Sequence, residues 1–167
     1  MRFDGVEIKV TVAGAQTRAA LEALHLRDGQ DWRIYFCEDV TPGTSGRPPL
    51  LDLGVVLRAR EKGSGKDDTT VKLRPCRRSQ LTEAWLATDK GKAANGDEWE
   101  TKVESDWSGE RRVLAASSSV ERGESVVDDE GGDVRPAERL FSPVQVAFLR
   151  DASADTSTSG PCRSSLP

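Results

Sequence analysis

Cysteine, histidine and long apolar runs are scarce in this chain, and each shortage closes off a class of function. The three cysteines, Cys37, Cys76 and Cys162, are far apart and odd in number. No Cys-x-x-Cys pair occurs, so neither a zinc site nor a disulfide framework is expected. His25 is the only histidine. It falls in a segment with helical spacing and reads as a surface or partly buried residue rather than a proton shuttle. No segment approaches the roughly 18 apolar residues that a membrane span needs. The opening residues, Met1-Arg2-Phe3-Asp4-Gly5, lack the apolar centre of a signal peptide. A reduced, cytoplasmic location with no membrane partner is therefore expected. The net charge of −4 argues against a nucleic-acid polymer as partner. No internal repeat is present.

What the chain does have is charge at every second position. Glu7-Ile8-Lys9, Arg58-Ala59-Arg60, Thr70-Val71-Lys72-Leu73-Arg74 and Lys102-Val103-Glu104-Ser105-Asp106 share this spacing. Strand side chains alternate between faces, so each segment sends its charges one way and its small or apolar residues the other. A sheet with one wet face shows the same alternation. Two details point further. Arg58 and Arg60 share a face with no acid between them, as do Lys72 and Arg74. Like charges on adjacent strands cost energy unless an anion or carboxylate offsets them. From Arg58 to Arg78 there are eight basic residues against three acidic ones, a local excess inside an acidic chain.

The 167 residues suit one domain. Strands are expected over Val6–Val12, Trp32–Phe36, Leu50–Arg60 (broken near Gly54), Thr69–Arg74, Trp99–Trp107 and Val113–Val120. The Leu50–Arg60 and Thr69–Arg74 strands form a hairpin across the polar turn Lys62–Asp68. Helical spacing covers Ala15–Leu26 and Ser79–Ala87. Thr41–Pro49, Asp89–Asp97 and Glu121–Asp133 read as loops. Ser142-Pro143-Val144-Gln145 reads as a helix start: Ser142 caps, Pro143 takes the first helical position and Gln145 reaches back. Residues 1–150 form the expected domain. Residues 151–167 are mostly Ser, Thr, Asp, Gly and Pro and read as a disordered tail. The expected fold class is α+β, mainly antiparallel β.

If the charged faces meet, they make a basic cavity with a few carboxylates. Such a cavity suits a metal-bound polyphosphate. Arginine forks grip phosphate oxygens bidentately and lysine adds a compact charge. Carboxylates hold Mg²⁺ or Mn²⁺, which keeps several waters and bridges to phosphate. Phosphoryl transfer then needs mainly positioning and charge neutralisation.

Several motifs resemble those of the CYTH superfamily, the triphosphate tunnel metalloenzymes. Gly5-Val6-Glu7-Ile8-Lys9 is similar to its acidic-x-acidic-x-Lys strand, with Gly5 in place of the first acid. Tyr35-Phe36-Cys37-Glu38-Asp39 resembles its aromatic segment. Gly54-Val55-Val56-Leu57-Arg58-Ala59-Arg60 and Thr70-Val71-Lys72-Leu73-Arg74 match its two basic strands in order and spacing. Arg139-Leu140-Phe141-Ser142, followed by Gln145 and Phe148-Leu149, is similar to its late helix. The resemblance covers roughly residues 5 to 150. It implies an antiparallel β-barrel with a charged tunnel and flanking helices, here lacking the family's final strand.

The resemblance implies that Lys9, Arg58, Arg60, Lys72 and Arg74 line the tunnel and that Glu7 binds metal. Glu104 and Asp106 are further metal candidates. The expected function is metal-dependent hydrolysis of a triphosphate compound, inorganic triphosphate or a nucleoside triphosphate, using Mg²⁺ or Mn²⁺. Arg58, Arg60, Lys72 and Arg74 clamp phosphates, Glu7 with Glu104 or Asp106 holds metal, and Lys9 assists at the terminal phosphate. Two alternatives stand beside it: a polyphosphate- or nucleotide-binding module without chemistry, and a class IV-type adenylate cyclase.

Overall fold

Period-two alternation is strongest between Val55 and Glu121, and five of the six described strands lie there. The structure, a computed structural model, describes residues 12–26, 32–38, 48–63, 65–85, 89–108, 111–128 and 133–153. Six strands form one antiparallel sheet: β1 (Trp32–Cys37), β2 (Val55–Lys62), β3 (Asp68–Leu73), β4 (Asp89–Lys92), β5 (Glu98–Ser108) and β6 (Arg111–Glu121). Their spatial order is β1-β2-β3-β6-β5-β4. The helices are α1 (Thr17–Ala23), α2 (Pro49–Asp52), α3 (Ala137–Leu140) and α4 (Pro143–Ser153). Among the described residues the sheet is open, with β1 and β4 at its two ends; a closed barrel is not seen.

Register decides which side chains share a face. Arg60 pairs with Asp68 and Ala59 with Thr69 across β2 and β3. Val71 pairs with Ser118 and Leu73 with Ala116 across β3 and β6. Ala59, Val71, Leu73, Val103 and Ala116 thus turn to one side. There they pack with Leu140, Phe141 and Phe148 from the α3–α4 region. Trp85 meets Phe148 edge-on, with ring centroids 5.3 Å apart, and donates its indole N–H to Asp151 at 2.7 Å.

Helix α4 begins as its sequence requires. The Ser142 N–H donates to Gln145 Oε1 at 3.0 Å, and the Gln145 N–H donates to Ser142 Oγ at 3.4 Å. Gln145 does more than cap. Its amide donates to the carbonyls of Thr69 (3.0 Å) and Ser118 (3.2 Å), and its oxygen accepts from the Thr69 hydroxyl (3.1 Å). A fully buried amide therefore ties α4 to β3 and β6.

Several expectations are corrected. Leu50 to Leu53 is not strand: Pro49 starts the short α2, since a proline at the first helical position forfeits no helix bond. Gly54 then turns the chain with φ +77, a conformation few side chains adopt. Its carbonyl accepts the Arg74 N–H at 2.7 Å, which locks the β2–β3 pair at this end. Ser79–Ala87 is not one helix but two single 3-10 turns, Arg78–Gln80 and Glu83–Trp85. Asp89–Asp97 is not wholly loop, because β4 pairs with β5 there. Helix α4 runs to Ser153, past the expected domain end. The strand expected over Val6–Val12 falls outside the described residues except for Val12, which is not in a strand. No described helix is long and apolar enough to cross a membrane.

Candidate phosphate-binding cleft

The face opposite the core carries the alternating charges. Arg58, Arg60 and Lys62 of β2 lie beside Thr70 and Asp68 of β3, and beyond them Ser119 and Glu121 of β6. Glu98, Glu100, Lys102, Glu104 and Asp106 of β5 continue the face, and Lys90 and Lys92 of β4 border it. The sheet curls about this side, because β2, β3, β6, β5 and β4 all contribute to one cavity of about 700 Å³. Five cations line it, Arg60, Lys62, Lys90, Lys92 and Lys102, against four acids, Asp68, Glu98, Glu100 and Glu121.

Asp68 is the anchor of the cationic side. Its side chain is only 4% exposed and meets Arg60 at 2.7 Å, Lys62 at 2.8 Å and Arg58 at 3.9 Å. Burial pushes its carboxyl up. Hydrogen bonds from Arg60 and Lys62, with their charges, outweigh burial and hold it below its ordinary value. A second cluster sits further along β3. Lys72 meets Asp106 at 3.1 Å and Glu104 at 3.5 Å, and Arg74 meets Asp106 at 2.9 Å. On the opposite wall Lys102 pairs with Glu100 at 2.7 Å, and Lys92 with Glu98 at 3.6 Å. A hydrogen bond from Lys66, with the charges of Lys66 and Lys92, holds the Glu98 carboxyl below its ordinary value.

The four clamp candidates therefore share one face but not one wall. Arg60 lines the cavity. Arg58 stands next to it on β2 and donates to the Thr70 hydroxyl at 3.0 Å. Lys72 and Arg74 gather instead around Asp106. Glu7 and Lys9 lie outside the described residues. Glu104 and Asp106 share a face of β5 and supply hard oxygen donors of the kind Mg²⁺ or Mn²⁺ takes, one or two carboxylates with water and substrate phosphate completing the shell. Both already engage Lys72, so a metal would share them with that ammonium. Among the described residues no group of three or more His, Cys, Asp or Glu is disposed to hold a metal ion.

Lys90, Lys92, Glu98, Glu100 and Glu121 were not expected in the site. Lys90-Gly91-Lys92 carried the signal, being another charged alternation of period two. Gly91 also admits a ring. A Cβ built there would lie 2.6 Å from Cζ2 of Trp99, so only bare backbone lets the indole rest against β4. His25 is exposed just past α1. Burial pushes the Cys76 thiol up to about 11 against the lowering charge of Lys72, which leaves it an unreactive packed thiol at neutral pH. Comparison with models of known protein families, with curated proteins and with solved structures gives no match.

Proposed function

We propose that the chain is a cytoplasmic hydrolase of the triphosphate tunnel kind, capturing a small triphosphate compound on its curled charged face. The observation that carries this reading is the convergence of Arg60, Lys62, Lys90, Lys92 and Lys102 on one cavity. A volume of about 700 Å³ suits a small molecule. Four of the five lining cations, Arg60, Lys62, Lys92 and Lys102, pair with carboxylates in the free protein, so binding there exchanges one anion for another. Arg58 and Arg60 would grip phosphate oxygens as forks. Lys72 and Arg74 would extend the grip toward the Asp106 end of the face, and Lys9 would assist at the terminal phosphate. Glu104 and Asp106, with Glu7, would hold Mg²⁺ or Mn²⁺, which supplies neutralisation of charge on the phosphate oxygens.

Calorimetry with tripolyphosphate, paired with a phosphate-release assay in Mg²⁺ and in Mn²⁺, tests this. Binding and turnover are expected. Replacing Lys90, Lys92 and Lys102 together by glutamine is expected to weaken tripolyphosphate binding about ten-fold, roughly 1.4 kcal/mol. The difference should shrink as salt screens exposed charge. Absence of binding to any triphosphate would end the reading. Binding without phosphate release would leave the second reading, a capture module without chemistry. That alternative is favoured by the hold of Lys72 and Arg74 on the described carboxylates.

A further inference from the structure

Strand β1 adds an apolar row to the charged face. Trp32, Ile34 and Phe36 sit directly across from Lys62, Arg60 and Arg58, so each apolar side chain shares a face with one cation. They are exposed by 42%, 48% and 66%. Tyr35 and Cys37, on the other face of the same strand, pack against the core. The exposed row is therefore not the buried side of β1. At alternate positions it spans about 13 Å. Its Trp32 end adjoins the cavity: the Arg60 guanidinium lies 4.7 Å from the indole centroid and the Lys62 ammonium 6.0 Å.

We propose that this row is a ring platform and that the ligand of the cleft is a nucleoside triphosphate rather than inorganic triphosphate. The inference rests on the triphosphate reading above and adds the organic half of the ligand. The ligand and the face have complementary halves. A nucleoside triphosphate carries a flat, weakly polar ring at one end and concentrated negative charge at the other. The face offers aromatic and aliphatic surface on β1 and cations on β2, side by side in register. Bases stack on exposed aromatic rings without needing specific hydrogen bonds. Arg60 already lies over the Trp32 indole, and a base stacking on that face would take its place as the guanidinium turns to phosphate. A purely apolar occupant would bury the neighbouring guanidinium and ammonium groups without counter-charge, at high cost. A long nucleic-acid strand conflicts with the net charge of −4.

The test is calorimetry on the full chain with ATP and with tripolyphosphate. ATP is expected to bind about ten-fold tighter, the size of one ring stack. Trp32→Leu and Phe36→Leu keep apolar bulk but remove a ring. The double replacement is expected to lose most of the ATP advantage, while Trp32→Phe retains it. Tripolyphosphate affinity should stay within two-fold in Phe36→Leu. Equal affinity for ATP and tripolyphosphate in the native protein overturns the platform and leaves the anion site standing. No binding of either ligand removes the triphosphate reading as well. If the leucine variants keep the ATP preference but melt earlier, or fall from dimer to monomer in sedimentation, the row is covered by protein and the proposal fails. Tighter binding of a single-stranded oligonucleotide than of ATP overturns it too.

Discussion

Replacing Asp68 by alanine is expected to lower the unfolding free energy by about 3 kcal/mol, the lower end of the range for breaking a buried ion pair. The carboxylate is almost wholly enclosed and serves Arg60, Lys62 and Arg58 together. Its loss leaves three cations close to one another on a half-buried face. For a chain of this length the melting midpoint should fall by about 6–12 °C. The same group makes stability depend on acid. Its native value lies below its unfolded value, so its contribution is complete above the unfolded value, about 3.9. The contribution is lost as pH falls through the depressed native value. Urea unfolding at pH 7 and at pH 3 measures both effects. In Asp68→Asn the acid-linked part of the slope should be smaller. The variant should also gain more thermal stability from saturating tripolyphosphate than the native protein does, because phosphate takes the place of the missing charge. Equal ligand stabilisation in the two proteins would show that the cations around Asp68 do not contact the ligand.

The second large effect is expected at Gln145. Leucine there keeps the volume but removes every bond the amide makes. The Thr69 hydroxyl, the Thr69 and Ser118 carbonyls and the Ser142 N–H would all face hydrocarbon. Buried polar groups left without partners cost about 1–3 kcal/mol each, partly recovered by relaxation, so a loss of about 3 kcal/mol is expected. Ser142→Ala, which removes only the cap oxygen, should cost about 1 kcal/mol. Chemical denaturation of the two variants checks the ratio. Equal losses would mean that capping, not the link to the sheet, is the main role of Gln145.

Features set by neighbours in the chain could be read from sequence. The alternation in Val71-Lys72-Leu73 and Val103-Glu104-Ser105-Asp106 is local, and both segments lie in strands with their charges on the polar face. The capping box at Ser142 is local and is present. Features set by register could not be read. Asp68 looked like the end of a turn. Only pairing with Arg60 makes it the first residue of β3 and the partner of three cations. Asp106 reads from sequence as a metal candidate; that strand order also brings Lys72 and Arg74 to it across β6 could not be read. Strand β4 was missed because a four-residue segment of two lysines, an aspartate and a glycine has no propensity of its own; β5 supplies its pairing. Leu50-Leu51-Asp52-Leu53 was misread because a short apolar run suits strand and helix alike, and Pro49 settles it as helix.

The bare backbone at Gly91 has a consequence of its own. A single methyl group there would have to displace the Trp99 indole. Trp99 pairs with Gly91 on one side and with the buried Val120 on the other, so its ring lies on the face of the sheet away from the charges. The edge strand that carries Lys90 and Lys92 is thus seated by a contact on its reverse side. A substitution at Gly91 would shift those two lysines without altering any charged residue.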